Sequence, residues 1–139
     1  MKEGFTVLEE IGVPSDFDHL ANVEGLIDRI CNTTGVSEDN YGNVLIAVTE
    51  AFNNAVVHGN SGDGSKEVHV RVAQNDDELC FVVKDQGAGF DFNNVIDPTA
   101  PENIEKENGR GIYLMRHLAD EVEFHNDGRE VAIYFKRNA

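Results

Sequence analysis

In the stretch EAFNNAVVHGN, Glu50, Asn54 and His58 recur at intervals of four. At about 100° per residue, that spacing lines up a carboxylate, an amide and an imidazole on one side of a helix. Leu45, Val48, Phe52 and Val56 fall on the other side and form an apolar stripe suited to a sheet. The polar stripe lacks the Lys and Arg that make solvated helix faces soluble through i,i+4 pairs. The helix also ends in small residues and Gly59, which permit close approach. A stripe of this kind faces something other than bulk water. A second constellation, DQGAGFD, spans Asp85 to Asp91 at the end of a strand-like run. Gly87 and Gly89 let the backbone turn sharply and let a flat ligand press against it, with Asp85 offering an acceptor beside the gap. A third, ENGRGIYLM, sets Gly109 and Gly111 just ahead of a helix, where free N–H groups and the helix dipole favour an anion such as phosphate.

The elements that must position these groups follow from changes in hydrophobic period. FTVLEEIGV predicts a first strand that ends near Pro14. Ser15 or Asp16 then caps a helix running to about Cys31, with Phe17, Leu20, Val23, Leu26, Ile27 and Ile30 at helical spacing and Gly35 ending it. Ser37, with Asn40 three residues on, opens a long second helix through about His58, and GNSGDGS stops it. EVHVRVAQ and ELCFVVKD flank a polar turn around Asn75 and Asp76, a β-hairpin signature. Residues 86–108 are rich in Gly, Pro, Asn and Glu and too long for an ordinary connection, so they are a functional loop candidate. The helix GIYLMRHLA, the strand EVEFHN, a turn at Asp127 and Gly128 and the strand EVAIYFKR complete the chain. The expected fold is α+β, a two-layer sandwich of a mostly antiparallel mixed sheet with helices packed on one face.

A chain of 139 residues that is 40% hydrophobic throughout fits one globular domain, residues 1–139. No apolar run reaches the roughly 20 residues of a membrane span, and MKEGFTVLEE has no basic-then-apolar leader, so a cytoplasmic location is expected. Cys31 and Cys80 stand apart in apolar settings and read as reduced, buried thiols. A net charge of −15 repels phosphate backbones and argues against nucleic acid, while a basic or mixed-charge protein partner is accommodated more easily. GNSGDGSK mimics a phosphate-binding P-loop but lacks the G-K-[ST] ending, and no dinucleotide fingerprint, HExxH helix or EF-hand loop is present.

Taken in order, the three pieces resemble the Bergerat-fold ATP-binding domain of gyrase, Hsp90, histidine kinases and MutL, the GHKL group. EAFNNAVVHGN looks like its N box, DQGAGF its first glycine box and NGRGIYLM its second. The resemblance covers nearly the whole chain. It is closest to the small bacterial anti-sigma-factor serine/threonine kinases, through DPTAPENIEKENGRGIYLMRHLADEVEF. It implies ATP and Mg²⁺, with Asn54 as metal ligand and Glu50 as the base that takes a proton from a serine or threonine hydroxyl or from water. Asp85 would accept from the adenine amino group, Gly87, Gly89 and Phe90 would shape the base site, and residues 91–108 would be a lid. Gly109 and Gly111 would present N–H groups to the phosphates, with Arg110 or Lys106 as counter-charges. His58 would touch phosphate or partner, or make a structural hydrogen bond at the helix end.

The implied partners are an anti-sigma-factor antagonist that accepts the phosphate, a sigma factor and a second copy in a homodimer. The alternative function is a binding module in which ATP orders the lid and selects the partner without transfer. This chain departs from the family in two places. It has GREVAIYF where relatives often carry Gly-Thr before the last strand, which removes a hydroxyl expected near the phosphates. Glu107 is acidic where some relatives are basic.

Overall fold

The computed structural model describes residues 2–59, 65–87 and 107–137. Its elements run β1 (Thr6–Pro14), α1 (Leu20–Thr34), α2 (Glu38–Asn54), β2 (Glu67–Gln74), β3 (Glu78–Lys84), α3 (Glu107–Leu118), β4 (Glu121–His125) and β5 (Glu130–Lys136). The five strands form one sheet in the order β1-β2-β3-β5-β4. An α+β sandwich is what the sequence predicts, but the sheet is not mixed. Every neighbouring pair among the described residues is antiparallel. The β2–β3 hairpin closes as an Asx turn, with Asn75 Oδ1 accepting from the N–H groups of Asp77 (2.9 Å) and Glu78 (2.7 Å).

Strand alternation divides the sheet into two faces. Val68, Val70 and Val72 of β2, Leu79, Phe81 and Val83 of β3, and Val131, Ile133 and Phe135 of β5 point toward the helices. They pack against Val23, Leu26, Ile27 and Ile30 of α1 and Val44, Val48 and Phe52 of α2, which recur at helical spacing. The other face is a small apolar cluster of Cys80, Val82, Ala132 and Tyr134 that no helix covers among the described residues. Residues near the N-terminus shield it. Phe5 meets Tyr134 edge to face at 5.7 Å, the Lys2 N–H donates to Tyr134 Oη at 2.8 Å, and Lys2 Nζ pairs with Glu121 at 2.8 Å. Both cysteines are free and buried, and burial pushes the Cys31 thiol up to about 11 and the Cys80 thiol up to about 12.

Helix starts and stops follow local chemistry with one exception. Gly35 ends α1 in the left-handed region (φ 74°), and the Ser37 side chain accepts from the Asn40 N–H to start α2. The exception is the start of α1. Residues 17–19 form a 3₁₀ turn, and Phe17, predicted to belong to the apolar stripe, is 54% exposed. The Asp16 carboxylate bonds the His19 ring at 2.6 Å instead of capping the helix backbone, so the α-helix begins only at Leu20. Among the described residues no helix is long and apolar enough to cross a membrane.

Candidate active site

Two members of the polar stripe of α2, Glu50 and Asn54, are half-buried rather than solvated. Ala47, Ala51 and Ala55 are buried at four-residue spacing beside it, and α3 packs against α2 with Ile112 and Met115 buried. Regular α-helix ends at Asn54, and residues 55–59 continue as a π turn, short of the unbroken helix to about His58 that the sequence predicts. The Ala55 N–H is shared between the carbonyls of Ala51 and Phe52 where the helix widens. Wide turns of this kind concentrate at functional sites because they displace the backbone from its regular path. Asn54 stands immediately before the widening. Its Nδ2 and the Oδ1 of Asn53 are buried without a hydrogen-bond partner among the described residues. An amide can turn end for end, so the Asn54 side chain can offer either an oxygen or an N–H at that point. Glu50, half-buried, lies about 6 Å back along the helix axis.

Facing Asn54 is the end of β3. Asn54, Asp85, Met115, Phe124, Gly128 and Arg129 line one narrow cleft. Asp85 is 5% exposed. Its Oδ1 accepts from the Gly87 N–H at 2.8 Å, and its own N–H donates to the Arg129 carbonyl at 2.9 Å. Burial raises its carboxyl above the ordinary carboxylate range, while the Gly87 N–H, Arg129 and Lys66 pull it back. Among the described residues the glycines in the left-handed region are Gly4, Gly35 and Gly128, and Gly87 is not one of them. Its contribution here is the N–H it gives to Asp85.

One expectation about the glycines changes in the structure. The predicted helix begins after the second glycine box, but α3 starts at Glu107, so Gly109 falls in its first turn and Gly111 follows inside the helix. Gly109 belongs to the turn whose N–H groups lack intrahelical partners, whereas the regular pattern commits the Gly111 N–H to the helix ladder. At position 129, where the family hydroxyl is missing, the Arg129 carbonyl accepts from the Asp85 N–H. Gly89, Phe90 and Lys106 lie outside the described residues, as do the side chains of His58 and Arg110 and the lid up to residue 106. Phe124, Met115 and Arg129 line the cleft as well. Met115 closes NGRGIYLM and Arg129 stands in GREVAIYF, but the motif reading gave none of the three a role in the site.

Residues 13–135 match the family described as histidine kinase-like ATPase domain. The chain belongs to that family. The family resemblance read from the three motifs is thereby borne out, and so is the α+β fold. Among relatives, the chain is 31% identical over 138 residues to a Bacillus cereus protein named serine-protein kinase RsbW, covering 94% of this chain and 85% of the relative. It is 34% identical over 124 residues to the protein of the same name from Bacillus licheniformis, covering 85% of this chain and 78% of the relative. A crystal structure of RsbU and RsbW domains from Mycobacterium tuberculosis aligns with a TM-score of 0.59 at 12% identity, over 93% of this chain and 32% of that longer one. At that identity the likeness speaks for the histidine kinase-like fold alone.

Proposed function

We propose that the chain is an ATP-dependent serine/threonine protein kinase of the anti-sigma-factor type, acting on a small antagonist protein. The observation that carries this reading is the meeting of Asn54 and Asp85, from separate elements, in one cleft with Glu50 a helical turn away. The relatives named serine-protein kinase support the reaction class.

Each residue has work that its surroundings suit. Asp85, held by Gly87, accepts from the exocyclic amino group of adenine and disfavours guanine, which has a carbonyl at that position. Asn54 has an unspent buried amide, so the site fits a hard cation that takes oxygen ligands. Among the described residues no three His, Cys, Asp or Glu side chains cluster to hold a metal by themselves. Asn54 would hold Mg²⁺, which would supply neutralisation of the phosphate charge. Glu50 takes the proton from the acceptor serine or threonine hydroxyl. Residues 91–108 close over the phosphates, with Gly109, Arg110, Gly111 and Lys106 at its hinge and His58 at the far end of the helix. The antagonist and a sigma factor compete for this chain, transfer to the antagonist switches which one is held, and two copies pair as a homodimer in the cytoplasm.

The test is to incubate the protein with labelled ATP, Mg²⁺ and a small candidate antagonist encoded beside it. Label on a serine or threonine of the antagonist is the expected result. Normal ATP binding with no label on any candidate protein partner would move the protein to the second class, a module that ATP switches without transfer.

A further inference from the structure

The sheet face away from the helices is covered, at its apolar cluster, by a short run of chain ahead of β1. Cys80 of β3 and Tyr134 of β5 are cross-strand partners on that face, and both are fully buried. Phe5 packs against this cluster and meets the Tyr134 ring edge to face at 5.7 Å. Glu3 and Gly4 turn the chain between Lys2 and Phe5, with Gly4 in the left-handed region (φ 86°), and β1 begins at Thr6. Residues 2–5 therefore form a strap laid across the outer face of the sheet.

Lys2 fastens that strap to three strands at once. On β5, its N–H donates to Tyr134 Oη at 2.8 Å, and its ammonium sits 4.4 Å from the centre of the Tyr134 ring. On β4, its Nζ donates to Glu121 Oε1 at 2.8 Å. On β3, the same Nζ lies 3.8 Å from Glu78 Oε1. Glu123, two residues along the same face of β4, adds a third carboxylate. One ammonium thus holds together carboxylates that would otherwise repel each other and the acidic chain around them. The Lys2 and Glu121 side chains are 38% and 44% exposed, so salt can reach the pair. The helix side of the sheet is held differently, by an apolar core that includes Cys31.

We propose that residues 2–5 are a charge-operated latch: the Lys2 ammonium holds the strap closed over Cys80 and Tyr134, and removing or screening that charge opens the outer face while the helix-side core stays folded. The strap ends before Thr6, the first residue of β1 paired with β2, so lifting it leaves that ladder intact. It carries one large apolar side chain, Phe5, so apolar burial contributes little to its closure and the ion pairs decide. An open strap presents Cys80, Val82, Ala132 and Tyr134 as an apolar strip beside the edge strand β4. Exposure of that strip is therefore set by the charge at position 2. The latch lies on the opposite face of the sheet from the helices and stands whatever the cleft binds.

The two cysteines report separately on the two faces. Alkylation by iodoacetamide, a neutral reagent, is followed at each thiol by mass spectrometry for wild type, Lys2→Gln, Lys2→Arg and Glu121→Gln. Lys2→Gln keeps the main-chain bond to Tyr134 and removes the charge, so Cys80 should react about tenfold faster, the worth of an exposed ion pair and a cation–π contact together. Glu121→Gln should speed Cys80 by a smaller factor, and Lys2→Arg should stay near the wild-type rate. In wild type, about 1 M sodium chloride, which screens charges beyond about 3 Å, should move the Cys80 rate toward that of Lys2→Gln. Cys31 should keep its slow rate in every case. A Cys80 rate unchanged in Lys2→Gln, or raised as much in Lys2→Arg, would overturn the latch. Rates that rise together at Cys31 and Cys80 would also overturn it, because the whole domain would then be opening. If a variant fails to fold, the salt series on wild type decides, and a Cys80 rate that does not rise with salt counts against the latch.

Discussion

On the β3 wall of the cleft, the Asp85 carboxylate is 5% exposed and already engaged by its own turn through the Gly87 N–H. On the α2 wall, Asn54 holds a buried polar atom with no partner among the described residues. One wall has its hydrogen bonding arranged before any ligand arrives, and the other has it in reserve. An unpaired buried polar group carries a penalty of roughly 1 to 3 kcal/mol, which a ligand at that point would relieve. The β3 wall is therefore suited to recognising a fixed shape, and the α2 wall to the part of the site that changes during reaction.

Changes on the α2 wall should separate rate from binding most sharply. Glu50→Gln keeps shape and most hydrogen bonding but removes the proton acceptor, so phosphoryl transfer should drop about 100-fold or more with ATP affinity nearly unchanged. Asn54→Ala, one turn away, should instead weaken Mg·ATP binding and leave ATP binding without Mg²⁺ little altered. Single-turnover transfer and calorimetry on both variants check the pair. Loss of ATP affinity in Glu50→Gln equal to that in Asn54→Ala would erase the distinction between base and ligand.

On the β3 wall the effect should appear in affinity. Asp85→Ala should weaken ATP binding by roughly 1 to 3 kcal/mol and leave GTP almost unaffected, because only adenine presents an amino group at that position and loses an acceptor. Equal losses for both nucleotides in calorimetry would contradict the assignment of Asp85 to the adenine amino group.

The same carboxylate also predicts a stability effect of opposite sign. In the folded chain burial holds the Asp85 carboxyl above its ordinary range, so the folded state binds that proton at a pH where the unfolded chain has lost it. Protonation at this site thus favours folding, and the ionised group destabilises the fold at neutral pH. Asp85→Asn should be more stable than wild type near neutrality, and the gap should narrow as pH falls through the raised Asp85 range. Denaturant unfolding of both proteins across that range checks the sign. A gap that widens toward acid would show that the carboxyl is held down, not up.

The apolar stripe of α2, the Ser37 cap, the Gly35 stop and the β2–β3 hairpin are legible in the sequence because each depends on neighbours within a turn or two. The pairing of Asn54 with Asp85 was open to motif order but not to periodicity, since it arises where a helix and a strand end meet. Arg129 was harder still. Its importance comes from a backbone carbonyl that receives the Asp85 N–H, and a main-chain group has the same chemistry in every residue type. Phe17 misled for the reverse reason. Its spacing is helical, but the Asp16 side chain is taken by His19 and the first turn tightens to 3₁₀ before the apolar face is reached.

The smallest predicted effect concerns the frame that carries the α2 wall. The Ser37 Oγ accepts from the Asn40 N–H at 3.3 Å, a long bond at the exposed end of the helix. Ser37→Ala should therefore lower stability by about 0.5 kcal/mol, the weak end of the range for a lost cap. From Val44 to Phe52 the same helix is anchored by side chains with no more than 2% exposure, so fraying at its start should stop before Glu50. Nucleotide affinity and transfer rate in Ser37→Ala should match wild type while the urea midpoint falls slightly. A drop in transfer rate with affinity intact would mean that the helix moves as one rigid rod from Ser37 to Asn54. The unpaired group on the α2 wall would then depend on the cap at the far end of the helix as well as on the core beneath it.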